Sequence, residues 1–384
     1  MTQRQPGTVG ALGRDNRSLL LRSLYFSAPA SRQALGAATG LSAASVGKVV
    51  RELVGEGVVT EDGSLDSDGG RPRKLLHIVP GYRFAAGVDV GETRVRIGLF
   101  DLAMTELATA DRLIDLRRHG PETVASRILA GLTTVLAKSA VALDAVLGVG
   151  VSVPGSVRRT ENLGWDPVLL EKLLGRETGL PLHFDSHAGA TGRAELWFGS
   201  GRETPGTVVA WLGSDLGACL IPGGPTTHGT RPDGGEFGHT VLVAGGRPCR
   251  CGSKGCLEAY VGAEAILDRF REAGGTIPED ADLEPALAAI VHDDQGTGVL
   301  AETHRYLGAG LGGLINLLNP ARVVLGGWAG LLLGERNLDA IRDAARRHSL
   351  KHAFATTTID LCSLGPDAAT RGAATLPLEH FLNG

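Results

Sequence analysis

Residues 236 to 258 read EFGHTVLVAGGRPCRCGSKGCLE and concentrate more convergent chemistry than any other stretch of this 384-residue chain. His239, Cys249, Cys251 and Cys256 supply one imidazole and three thiols, the ligand set of a closed tetrahedral structural zinc site. Glu236 and Glu258 bracket them. A metal knot with an acid at each end is a staple that holds polar side chains where a ligand can meet them. The competing reading is three incidental cysteines on a loop, since C-x-C is tighter than the commonest zinc spacing. Five cysteines in all, three of them clustered, argue for metal ligation and a reducing compartment rather than a disulfide framework. Cys219 and Cys362 lie in apolar sequence and read as core.

The length predicts two or three domains, and 43% hydrophobic residues suffice for real cores. A formal net charge of −4 names no partner, but its distribution does more. Residues 1 to 80 carry ten Lys/Arg against seven Asp/Glu, so the charge divides into +3 there and −7 beyond. Nucleic acid at one end only fits this asymmetry. The N-terminus has arginines but no apolar core of a secretory signal, and no run of about 18 apolar residues occurs. The chain is therefore read as soluble and cytoplasmic, without a membrane partner, with a flexible leader over residues 1–14.

From Asn16, apolar residues at helical spacing end at Ala28-Pro29-Ala30. Ser31 reads as the cap of a short helix, Thr39-Gly40-Leu41 as a turn, and Ser42 as the cap of a third helix whose buried face is Val46, Val49, Val50, Leu53 and Val54. Two short helices across a glycine turn make a helix-turn-helix, whose second helix enters the DNA major groove. Its exposed face carries Ser42, Ala43, Ser45, Lys48 and Arg51: small residues for close approach, cations for phosphate or base edges. Two strands around SLDSDGGRPRK form a β-wing that presents Arg71 and Arg73. The bland alternative is a helical protein-interaction module. Pro80-Gly81 marks the boundary of this domain, residues 15–80.

Beyond it, strands and helices alternate as in an α/β domain. A hairpin carries Asp89, Gly91 and Thr93 in a D-x-G-x-T turn, where glycine admits a phosphate, threonine bonds it and aspartate holds a metal ion or its water; the same residues are also ordinary hairpin-tip residues. Gly213, Ser214 and Gly217 make a second glycine-rich turn, a hint of internal duplication. Asn162, in the loop SVRRTENLGWDP, offers an amide to a small ligand.

These residues resemble the ROK family (repressor, open reading frame, kinase), and specifically its transcriptional regulators. The resemblance rests on the GGRP wing, GVDVGETRVRIGLFD, SVPGSV, ENLGW, GGEFGH, CRCGSKGCLE and NPARVVLGG, and spans nearly the whole chain. It implies a two-lobed actin-like (ribonuclease H-like) ATPase/sugar kinase fold after the winged helix-turn-helix. The lobes are expected at 81–195 plus 368–384 and at 196–367. It also implies a homodimer or homotetramer, and structural zinc on His239, Cys249, Cys251 and Cys256. In the family's kinases, residues matching Glu236, His239, Glu258 and Asn162 lie against sugar hydroxyls, and the two glycine-rich turns hold phosphates.

One departure bears on mechanism. Where the kinases carry N-D-A-N-A-A-A-L-A-E, this chain has Ser186-His187-Ala188-Gly189-Ala190-Thr191-Gly192-Arg193-Ala194-Glu195. The catalytic aspartate thus falls on His187 and a sugar-binding asparagine on Ser186, so the base for phosphoryl transfer is lost. Asp185 is expected about 6 to 7 Å away, two residues back along extended chain. Glu92 and Asp215 replace glycines and are expected to repel a polyphosphate. The expected function is a DNA-binding regulator, a repressor of carbohydrate metabolism, with a catalytically inactive body that senses a sugar or sugar derivative. The rivals are a sugar kinase with an appended domain, with His187 as base, and a regulator controlled by a partner protein.

Overall fold

The structure, a computed structural model, describes residues 9–65, 73–116, 118–155, 167–202, 204, 206–221, 235–278 and 281–384. The N-terminal module contains α1 (Val9–Ser27), β1 (Ala30–Ser31), α2 (Arg32–Thr39), α3 (Ala43–Gly55), β2 (Val59–Leu65) and β3 (Arg73–Ile78). Ser31 and Ser42 cap α2 and α3 by accepting from the amides of Ala34 and Ser45, and Gly40 takes the left-handed turn between them at φ 70°. The small sheet runs β1-β3-β2. Leu20, Leu24, Leu35, Val46, Val49, Val50 and Leu53 are buried beneath it. Two expectations fail. α1 starts at Val9, inside the proposed leader, and Val54 is 37% exposed because the last turn of α3 overhangs the core.

The first lobe follows with β4 (Phe84–Val90), β5 (Arg94–Asp101), β6 (Glu106–Leu113), α4 (Pro121–Ser139), β7 (Val146–Val153), α5 (Pro167–Thr178), β8 (Leu182–Ser186) and α6 (His187–Phe198). Its sheet runs β6-β5-β4-β7-β8: β4, β5 and β6 pair antiparallel, whereas β7 and β8 add in parallel. Strands rich in valine and glycine, buried on both faces, suit this arrangement. Ala86, Val88 and Val90 pack under α4 and α5, and the alternate face takes the C-terminal helix.

The second lobe contains β9 (Thr207–Leu212), β10 (Leu216–Ile221), α7 (Glu258–Val261), α8 (Ala263–Glu272), α9 (Leu283–His292), α10 (Thr297–Leu318), β11 (Arg322–Gly326), α11 (Trp328–His348), α12 (Lys351–Ala355) and β12 (Thr358–Leu361). Its sheet runs β10-β9-β11-β12, again an antiparallel hairpin extended by parallel strands. The hinted duplication is therefore real. α13 (Ala368–Asn383) returns to the first sheet, and a Cβ on Gly150 would lie 1.8 Å from the Ala373 carbonyl oxygen, so only glycine allows this contact. A winged helix-turn-helix precedes a two-lobed, actin-like α/β body.

Candidate functional site

Both glycine-rich turns open towards the cleft between the lobes, and α6 starts there. Ser186 uses its hydroxyl to cap α6, accepting from the Gly189 amide at 3.1 Å. The next residue, His187, is 4% exposed and reaches across the cleft. Its Nε2 lies 3.1 Å from Asp89 Oδ1 of the first-lobe turn, and its Nδ1 lies 3.2 Å from Asp215 Oδ1 of the second-lobe turn. The Trp211 ring stands 5.0 Å from the imidazole, and its Nε1 donates to the same Asp215 oxygen at 3.3 Å. Burial alone would strip the proton from His187, but the carboxylates of Asp215 and Asp89 hold its pKa well above the ordinary imidazole value. Burial would likewise raise the Asp215 pKa; His187, Arg250 and the Gly155 amide instead hold it below the usual carboxylate range.

A second bridge runs parallel to the first. Arg250, between Cys249 and Cys251, pairs with Glu92 of the first lobe at 2.6 Å and with Glu258 of the second at 2.7 Å, and donates to the Ser214 carbonyl at 3.0 Å. Glu258 also accepts the Leu216 amide at 3.0 Å. Glu92 is buried enough that its pKa stays raised despite Arg250. The expectation that Glu92 and Asp215 add bare negative charge is thereby corrected, because each faces a cation from the chain itself. Asp185 points away, to Arg193 at 3.2 Å, which also pairs with Glu379 of α13.

Space around these groups is uneven: a cavity of about 260 Å³ opens on one side of Ser214, Arg250 and Glu258, while the pockets between the two turns are small. Ser186, His187, Gly217, Glu236, His239, Arg250 and Glu258 surround a cavity of about 20 Å³, room for about one water. Asp89, Gly91, Thr93, Gly213 and Ser214 line a neighbouring one of about 40 Å³. Asn162 and Arg71 lie outside the described residues; Arg73 begins β3, but its side chain is not described.

The ligand atoms of His239, Cys249, Cys251 and Cys256 all lie within 4.8 Å of one another. Cys251 Sγ to Cys256 Sγ is 3.8 Å and Cys249 Sγ to His239 Nδ1 is 3.6 Å, the edge lengths of a tetrahedron whose metal–sulfur bonds are about 2.3 Å. The donor set fits zinc. His239 turns Nδ1 to this cluster and Nε2 towards Glu236, 3.8 Å away.

On the N-terminal module, Ser42, Ala43, Lys48 and Arg51 are exposed, and among the described residues Lys48 pairs only with Glu52, at 4.0 Å. Ser45 is half-buried, its hydroxyl 3.0 Å from that of Ser42. Arg250 and Trp211 were not singled out from sequence, although the position of Arg250 between two expected ligands was a usable signal.

The ROK family profile matches residues 85–380. The chain is 25% identical over 384 residues to the xylose repressor of Bacillus spizizenii, with 96% of each protein covered. It is 27% identical over 321 residues to the glucokinase of Halalkalibacterium halodurans, which covers 77% of this chain and 94% of the kinase. Its fold matches the crystal structure of a ROK family transcriptional regulator, described as a homologue of the E. coli MLC protein, with a TM-score of 0.77, 23% identity and 97% of each chain covered. The match over the body, the paired lobes and the Cys/His cluster lead to one conclusion: this chain belongs to the ROK family.

Proposed function

We propose that the chain is a DNA-binding transcriptional repressor whose kinase-like body transfers no phosphate. Residues 15–80 read the operator. The lobes, 81–195 with 368–384 and 196–367, hold the effector site. The observation that carries this reading is His187 at the place of the kinase base, with both ring nitrogens facing carboxylates. A protonated imidazole held in this way accepts no proton from a sugar hydroxyl. The Glu92–Arg250 pair at 2.6 Å likewise bridges the two lobes beside the turns where a kinase would hold phosphates.

Zinc on His239, Cys249, Cys251 and Cys256 fits a structural role, since four protein ligands leave no open position. When bound, it fixes the loop that aims Arg250 and His239 into the cleft. No described helix is long and apolar enough to cross a membrane, and a cytoplasmic homodimer or homotetramer places paired recognition helices against half-sites about 34 to 36 Å apart.

The effector is a sugar or sugar derivative that contacts Glu236, His239 and Glu258 and displaces Arg250 on entry. It acts only so far as it binds one arrangement of lobes and DNA module better than the other. A second reading, control by a partner protein without a sugar, is favoured by the cavity of about 20 Å³. Gel shifts on DNA flanking the gene, with and without a sugar panel, test both. Binding released by a sugar supports the first, binding indifferent to all sugars the second, and no specific binding removes the repressor reading. Coupled ADP release over a hexose panel, abolished by His187→Ala, would restore the kinase.

A further inference from the structure

Away from the cleft, a cavity of about 260 Å³ opens where the DNA module meets the body. Tyr25 and Phe26 at the end of α1 and His77 of β3 form its module side; Trp197 and Phe198 at the end of α6 and Arg202 form its body side. The rings make one continuous wall across the junction. Phe26 and Trp197 meet edge to face at 5.0 Å and 75°, Tyr25 and Trp197 at 5.6 Å, and Trp197 and Phe198 at 6.0 Å.

The polar lining is sparse and of one sign. Arg202 donates from Nη2 to the Phe26 carbonyl at 2.9 Å and has no carboxylate partner among the described residues. Among the described residues, no aspartate or glutamate lines the cavity. Asp101, whose charge acts on Tyr25, accepts the Thr105 amide at 2.8 Å within its own turn. Aromatic walls with few convergent polar groups, at a domain junction, are the ordinary composition of a small-molecule site. A guanidinium beside them that meets only a carbonyl among the described residues selects a planar anion, which it binds in bidentate fashion. A sugar would find too few hydrogen-bond partners here.

The geometry points to a second effector site, distinct from the cleft, that takes a small aromatic carboxylate with its ring against Phe26, Trp197 and Phe198 and its carboxylate on Arg202. Such a ligand touches module and body together. It therefore stabilises the present placement of α3 relative to the lobes, whatever the cleft binds.

The test is calorimetric titration of the full chain with indole-3-acetate and, as neutral control, indole-3-acetamide. The acid is expected to bind saturably and about tenfold tighter than the amide, a difference of about 1.4 kcal/mol. Arg202→Gln should erase that preference while leaving amide affinity unchanged, and Ala103→Trp, at the exposed mouth, should abolish both without altering melting. Equal affinity for acid and amide in the unmodified protein, absence of saturable binding at millimolar concentration, or binding that survives Ala103→Trp would each overturn the site.

Discussion

In the cleft, two cations meet carboxylates of the chain itself: the buried His187 lies between Asp89 and Asp215, and Arg250, its side chain 31% exposed, between Glu92 and Glu258. On α3 the reverse holds. Lys48 and Arg51 face solvent, and among the described residues their one ion-pair partner is the exposed Glu52, 4.0 Å from Lys48. The difference teaches where an external partner is required. Charges on α3 lose nothing by meeting phosphates, which release counterions as they bind. A cleft ligand must first part pairs that are already desolvated, and parting such a pair is costly.

The strongest way to break this comparison is to remove a ligand of the proposed zinc site. Apparent binding energies of structural zinc in small peptides reach about 10 to 16 kcal/mol. Cys251→Ala should therefore drop zinc well below one per chain, by metal analysis, and lower the melting temperature sharply. The helices of the N-terminal module should melt separately or later, since none of the four proposed ligands belongs to them. Next in size is Arg250→Ala, which strands Glu92 and Glu258 and should cost about 3 to 5 kcal/mol in denaturant unfolding. Adding Glu92→Gln should recover part of that loss, because one unpaired charge is then removed.

Smaller effects sharpen the DNA side. Lys48→Ala and Arg51→Ala should each weaken operator binding by roughly 1 to 3 kcal/mol, with a shallower salt dependence for whichever residue contacts phosphate. Stability should stay within about 0.5 kcal/mol, as for ordinary surface positions. The smallest effect concerns pH. The His187 pKa is raised in the folded state, so its stabilisation is complete below the unfolded imidazole value, declines above it and is lost as pH rises through the elevated folded value. Unfolding free energy should fall on the alkaline side by at most about 1.4 kcal/mol per pH unit, and His187→Gln should flatten that limb.

Much of this was legible in sequence where the signal is local. The caps Ser31 and Ser42, the Gly40 turn, the hairpin at Asp89 and the Cys/His cluster all follow from spacing within about twenty residues. His187 was legible as a substitution, but its clamp was not, because Asp89 and Asp215 lie far off in the chain and approach only when the two lobes face each other. Arg250 reaches Glu92 over 158 residues of sequence, and no periodicity carries that information. The two added acids therefore read as repulsive when they are paired. α11 and β12 also escaped notice, since sequence beyond NPARVVLGG carries no ligand chemistry.

The most direct single test is fluorescence anisotropy of the full chain on DNA from its own promoter region, against scrambled DNA and against the Lys48→Ala, Arg51→Ala double variant. A repressor with a self-paired body predicts saturable binding that prefers the promoter fragment, weakens with salt and is lost in the variant. Equal, feeble binding to both DNAs by variant and parent alike would contradict it.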